Sequence, residues 1–161
     1  MLKQLIIISL IIIGLGLLPG GNAVAAEPSS RPSVKGPITV TSETLTTDNK
    51  AHTALFEKNV VARTPDMSMA ADKMLIFYKE DGGDVTKIEA SGNVKLIKDS
   101  RAITARDAVY YADEDKVVFT GEPKAIDGDN VVTGTTMTYL IKEDLSRVEN
   151  SKVFLKNKKE K

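Results

Sequence analysis

Ile38-Thr39-Val40-Thr41-Ser42-Glu43 opens a phrase made of an alternating strand, a short acidic or Asn/Gly turn and a second alternating strand. The phrase begins again at Met69-Ala70-Ala71-Asp72, Ile103-Thr104-Ala105-Arg106-Asp107 and Val132-Thr133-Gly134-Thr135, a recurrence of roughly 30 residues in the range of stacked repeat architectures. A single unit cannot bury its apolar face. Stacked units share one continuous apolar interior, so function turns on what that interior holds.

Outward from these openings the period is two. Ile38/Val40, Met67/Met69/Ala71, Met74/Ile76/Tyr78, Ile88/Ala90, Val94/Leu96, Ile103/Ala105, Val109/Tyr111, Val117/Phe119, Met137/Tyr139/Ile141 and Val153/Leu155 put apolar groups on one face, with Thr, Ser, Lys, Glu and Asp between them. Turn chemistry separates the runs at Asp48-Asn49, Pro65-Asp66, Asp81-Gly82-Gly83-Asp84, Asp99-Ser100, Asp113-Glu114-Asp115, Asp127-Gly128-Asp129-Asn130 and Glu143-Asp144. No stretch from Ala26 onward has a helical period. The predicted fold is therefore all-β and antiparallel.

A second turn recurs in mid-phrase, at Lys58-Asn59-Val60, Ser91-Gly92-Asn93-Val94, Thr120-Gly121-Glu122-Pro123 and Glu149-Asn150-Ser151. Gly or Asn there lets the chain kink or bulge. A sheet bent at the same point in every layer folds over on itself, encloses a long groove and keeps unpaired edges at both ends.

The first 25 residues have the three parts of a secretory leader: Lys3, an apolar run from Leu5 to Leu18 of about 14 residues, and Ala23-Val24-Ala25 after Pro19-Gly20-Gly21. The run falls short of the roughly 20 residues that span a bilayer. Cleavage after Ala25 or Ala26 is expected, with a periplasmic location. Residues 26–37 hold three prolines and read as a flexible arm, residues 38–155 as the folded domain, and the Lys-rich 156–161 as a solvated tail. The sequence contains 22 basic and 22 acidic residues, and loss of Lys3 leaves 21 against 22, with no basic footprint for nucleic acid.

Three segments carry a family resemblance: Asn59-Val60-Val61-Ala62 leading to Met69-Ala70-Ala71-Asp72-Lys73-Met74, Val117-Val118-Phe119-Thr120-Gly121, and Met137-Thr138-Tyr139-Leu140-Ile141-Lys142-Glu143. With the leader, the size and the repeat, the chain resembles the OstA-like family of lipopolysaccharide-transport proteins from Ile38 to about Leu155. The resemblance implies a bent antiparallel β-jelly roll, or β-taco, open at both ends, whose interior binds lipid A acyl chains. It also implies end-to-end alignment between an inner-membrane lipopolysaccharide export complex and an outer-membrane translocon, through edge strands and head-to-tail self-association. By position, the acyl-facing residues of the family fall on Ile38 and Val40, on or next to Leu96, and on Phe119. The third mid-phrase turn departs from the pattern with Glu122-Pro123.

The residues expected to line a lipid groove are Ile38, Val40, Phe56, Val60, Met67, Met69, Met74, Ile76, Ala90, Val94, Leu96, Ile103, Val109, Phe119, Val132, Met137 and Tyr139. Four thioethers among them suit disordered hydrocarbon because Met adapts its shape. Catalysis is not expected: His52 is the lone histidine, Cys is absent, and no serine stands in a G-x-S-x-G setting. The acidic turns lack the spacing of a calcium loop, so neither metal nor cofactor is expected, and Asp113-Glu114-Asp115 reads as a solvated tip. Two other readings stay open. One is a membrane-anchored sister component of the same export pathway; the other is a structural or polysaccharide-active β-repeat protein.

Overall fold

The computed structural model describes residues 38–156 except Gly82; the expected leader and arm, and the expected tail after Lys156, lie outside the described residues. Within them the chain forms twelve strands of one antiparallel sheet. In chain order they are β1 (Thr39–Thr41), β2 (Thr44–Asp48), β3 (Thr53–Arg63), β4 (Met67–Tyr78), β5 (Val85–Lys98), β6 (Arg101–Tyr111), β7 (Lys116–Thr120), β8 (Lys124–Asp127), β9 (Asn130–Thr133), β10 (Thr136–Leu140), β11 (Leu145–Glu149) and β12 (Lys152–Phe154).

Pairing folds this sheet into two layers. The first runs β1, the second half of β3, the first half of β4, the second half of β5, the first half of β6, then β8, β9 and β12. The other runs β2, the remaining halves of β3 to β6, then β7, β10 and β11. The long strands β3 to β6 belong to both layers and bend at a common crease, while β1/β2, β7/β8, β9/β10 and β11/β12 are interrupted there. At the two ends the stack is open: β1 and β2 pair with β3 alone, β11 with β10 alone and β12 with β9 alone.

The crease is made by left-handed backbone in alternate rungs, at Lys58 and Asn59, Gly92 and Asn93, Gly121 and Glu122, and Asn150. These are the four mid-phrase turns of the sequence, and the four phrase openings supply the rungs between them. Gly92 at φ 76° has no room for a side chain, because an added carbon would collide with Asp72. Gly121 at φ 75° likewise lies against Arg106, whose Cβ would be 2.6 Å away. Each crossing consumes extra residues, so pairing registers shift between Glu57 and Val60 in β3 and between Ala70 and Lys73 in β4.

That shift corrects one expected site residue. In β6 the inward face passes from Ile103 and Ala105 to Ala108 and Tyr110, a step of three across Arg106-Asp107, which inverts the alternation beyond it. Val109 therefore lies on the outer face, paired with Glu89 and Val118, and Tyr111 faces outward under the Lys116 ammonium. The expected solvated tip is also corrected in part: Asp113 and Glu114 are exposed, but Asp115 is buried, accepts from the Tyr110 hydroxyl at 3.2 Å, and its backbone carbonyl accepts from the Ile141 N–H at 2.9 Å.

Candidate functional site

The space between the layers is packed shut in its middle and open toward the lips opposite the crease. Val60, Met74, Phe119 and Met137 are completely buried, with Val94 and Val117 nearly so. Burial of side chains this size is worth about 1.5–3 kcal/mol each, so these groups hold the layers together. Toward the lips lies a void of about 60 Å³ lined by Ile38, Ala62, Thr64, Met67, Met69, Met74, Ile88, Leu96, Tyr110, Val117 and Ile141. Thr64 and Tyr110 are the two lining residues that carry a hydroxyl, and the Tyr110 hydroxyl is taken up by Asp115.

A second void of about 100 Å³ lies nearer the β11/β12 end, between Ile103, Ala125, Ile126 and Val132 on one side and Tyr139 and Ser146 on the other. Lys98 and Arg101 stand at its rim with Asp127 and Asn130. Sites for small ligands enclose roughly 300–1,000 Å³. Neither void is large enough for a long chain with the layers packed this closely, and Met67 and Met69 on the wall of the first void are only half-buried.

The fold can be set beside known proteins. LptH, described as the LptA homologous periplasmic component of the lipopolysaccharide transport device from Pseudomonas aeruginosa, superposes with a TM-score of 0.69 over 81% of this chain and 100% of its own, at 13% identity. At that identity the likeness is one of fold. No curated protein sequence matches the chain. The family model for the LptA/(LptD N-terminal domain) LPS transport protein matches residues 39–145, about two thirds of the chain. The chain belongs to this family.

Against that LPS-transport fold the expected lining residues sort into three groups. Val60, Met74, Ile76, Ala90, Val94, Leu96, Ile103, Phe119, Met137 and Tyr139 are buried between the layers. Val40, Phe56, Met67, Met69 and Val132 are half-buried, and Ile38 is 40% exposed at the open end beside the first void. Val109 is outside. Ala62, Ile88, Tyr110, Val117 and Ile141 also line the first void; Ile88, Val117 and Ile141 were visible in the period-two pattern, whereas Tyr110 was hidden by the crease shift in β6.

Nothing in the strand pattern pointed to the polar cluster at the second void. Arg101 donates to Asp144 Oδ2 at 2.6 Å, Tyr139 donates its hydroxyl to Asp144 Oδ1 at 2.7 Å, and Lys98 donates to the Tyr139 hydroxyl at 3.0 Å. Hydrogen bonds from Arg101 and then Tyr139 lower the Asp144 carboxyl to a pKa of about 2. The hydrogen bond to Tyr139 raises the Lys98 ammonium, while burial raises the Tyr139 hydroxyl. Positions 101 and 144 are 43 residues apart; Asp144 was read only as part of a turn, and Arg101 follows another, the Asp99-Ser100 turn. Among the described residues no group of three His, Cys, Asp or Glu is placed to hold a metal ion.

Proposed function

We propose that this protein is a non-enzymatic periplasmic carrier and bridge for lipopolysaccharide, whose parted layers shield the acyl chains of lipid A on the way from the inner to the outer membrane. The observation that supports it most is the apolar, thioether-rimmed cleft between layers whose strands are continuous along the crease only, in a member of an LPS transport family. An acyl chain of a dozen carbons costs on the order of 10 kcal/mol to expose to water, at roughly 0.8 kcal/mol per methylene. A lipid with several such chains crosses an aqueous compartment only under an apolar cover. Met67 and Met69 can supply that cover by adapting to hydrocarbon as the lips part.

The partners in this reading are the inner-membrane export complex at one open end, the outer-membrane translocon at the other, and further copies of the chain between them. Photo-crosslinkers test the groove directly. At Met67 or Leu96, which line the cleft, they should capture lipopolysaccharide in cells; at Lys95 or Val109, on the outer face, they should not. Equal capture from both faces would sink the assignment.

A further inference from the structure

Lys98 and Arg101 flank the turn that joins β5 to β6 in one layer, while Tyr139 and Asp144 belong to the β10–β11 hairpin of the other. The Asp144 carboxylate spans them. One oxygen takes the Arg101 guanidinium at 2.6 Å; the other takes the Tyr139 hydroxyl and lies 3.6 Å from the Lys98 ammonium. Beneath this cluster is the second void, walled by Ile103, Ala125, Ile126 and Val132.

Two cations at the rim of an apolar slot form the pattern that recognises an amphiphile with an anionic head: the slot takes hydrocarbon and the rim takes charge. A guanidinium presents paired N–H donors that match the oxygens of a phosphate or carboxylate. In the closed molecule Asp144 occupies that position. It is built to leave, since its side chain is 45% exposed, its backbone sits in the left-handed region at φ 50°, and an exposed ion pair adds little stability. Asp127, also at the rim, lies opposite Arg101 across the β6–β8 pair. Two acids thus balance two bases, and an incoming anion replaces Asp144 instead of joining it.

We propose that Lys98 and Arg101 bind the anionic headgroup, phosphate or carboxylate, of an acylated lipid whose chain enters the groove, and that Asp144 is the internal anion displaced as the layers part. This rests on the lipid-carrier reading above. Because the cluster ties one layer to the other, displacement of Asp144 by the headgroup also releases the lips. Ligand recognition and opening become one event.

The test is binding of dodecyl phosphate, laurate, dodecyl maltoside and inorganic phosphate, each below its micelle concentration where it has one, to the wild-type protein and to Arg101→Gln, Lys98→Gln and Asp144→Asn. Arg101→Gln and Lys98→Gln should each weaken the anionic amphiphiles about tenfold relative to the maltoside, as expected for losing a hydrogen bond to a charged group, while the maltoside, which gains only from the looser tie between the layers, is not weakened. Asp144→Asn should strengthen the anionic amphiphiles. The comparison of phosphate with laurate identifies which headgroup is preferred. If the cluster only latches the lips, Arg101→Gln strengthens neutral and anionic amphiphiles alike, which overturns the headgroup site. Inorganic phosphate binding as tightly as dodecyl phosphate would also overturn it. Failure of every amphiphile to bind the wild type removes the carrier reading itself, whereas equal binding of maltoside and phosphate by all four proteins removes only this inference. Thermal melting of each variant separates lost binding from lost folding, and Arg101→Lys, which keeps the charge without the fork, should retain part of the affinity.

Discussion

Asn93 donates its side-chain amide to the Asp72 carboxylate at 2.8 Å, joining two neighbouring rungs where both bend. The motif recurs along the crease, where Asn59 donates to Glu43 at 2.6 Å and Asn150 to Thr135 at 3.0 Å. In each pair a left-handed Asn meets an acceptor on the adjacent rung. Asn tolerates positive φ better than other side chains and also supplies the amide, so one residue type bends the strand and ties the bend to its neighbour. At the remaining rung Gly121 and Glu122 take the bend, and the Gly121 carbonyl accepts from the Arg106 backbone N–H at 3.0 Å.

Gly92→Ala should therefore destabilise the protein strongly for so small a change. The new methyl group meets Asp72, in a backbone conformation that L side chains disfavour by about 1–2 kcal/mol. Displacing Asp72 also breaks its bond to Asn93. Urea unfolding should show a loss of about 2 kcal/mol or more, and Asn93→Ala about 1 kcal/mol. An unchanged midpoint for Gly92→Ala would show that the crease does not constrain the fold.

Phe119 and Met67 should separate stability from ligand binding. Phe119 is completely buried at the centre of the packed interior, so Phe119→Ala should cost about 3–5 kcal/mol, and Phe119→Asp should unfold the protein before any effect on ligand is read. Met67 is half-buried at the rim of the first void, where Met67→Ala should cost less than the about 2–5 kcal/mol of a fully buried Met yet weaken amphiphile binding. Denaturant midpoints and binding constants on the same two variants check this. Loss of stability at Met67 matching that at Phe119 would mean that the rim is ordinary core.

The two-residue period and the Gly/Asn turns made the bent sheet and its open ends legible, because both are local signals that every rung repeats. Val109 was misplaced for the same reason: alternation counted through Arg106-Asp107 assumes an uninterrupted pleat, and the crease inverts it. Asp115 was misread because its partner Tyr110 became an inward residue only after that inversion. The Arg101–Asp144 pair lay beyond reach altogether, since it depends on how two hairpins from opposite layers meet. Periodicity reports faces; it does not report which turns touch across a groove.

The clasp should also leave a mark on stability at low pH. Asp144 has its folded pKa lowered from 3.8 to about 2, so its contribution is fully present above pH 4 and is lost as pH falls through about 2. The pair is partly exposed and screened, so the amount is small, about 0.5 kcal/mol. Asp144→Asn should flatten the stability profile between pH 4 and 2 by that much and leave its shape near pH 7 unchanged. At the alkaline end burial, and then Asp115, raise the Tyr110 hydroxyl, which favours its neutral form in the fold; stability should fall as pH rises past 10, and less so in Tyr110→Phe.

Assembly should follow from the open ends. Strands β1 and β2 at one end and β11 and β12 at the other each pair on one side only, and Leu45, Leu145, Val153 and Phe154 are all more than half exposed there. Free backbone groups beside exposed apolar side chains are what strand addition uses, and joining the end of one molecule to the start of the next continues both layers and the groove between them. A head-to-tail contact of this kind does not close on itself, so the full chain should form concentration-dependent strings of variable length. Deleting Ser151–Lys161 removes β12, whose three residues are exposed and pair with β9 alone. Three exposed cross-strand pairs are worth about 1–2 kcal/mol in total, so the truncated protein should stay folded and still bind amphiphile while its strings shorten toward monomer. Deleting only residues 157–161 should change nothing. Sedimentation velocity at rising concentration checks all three proteins, and one sharp species shared by the full and truncated chains would rule out assembly through these edges.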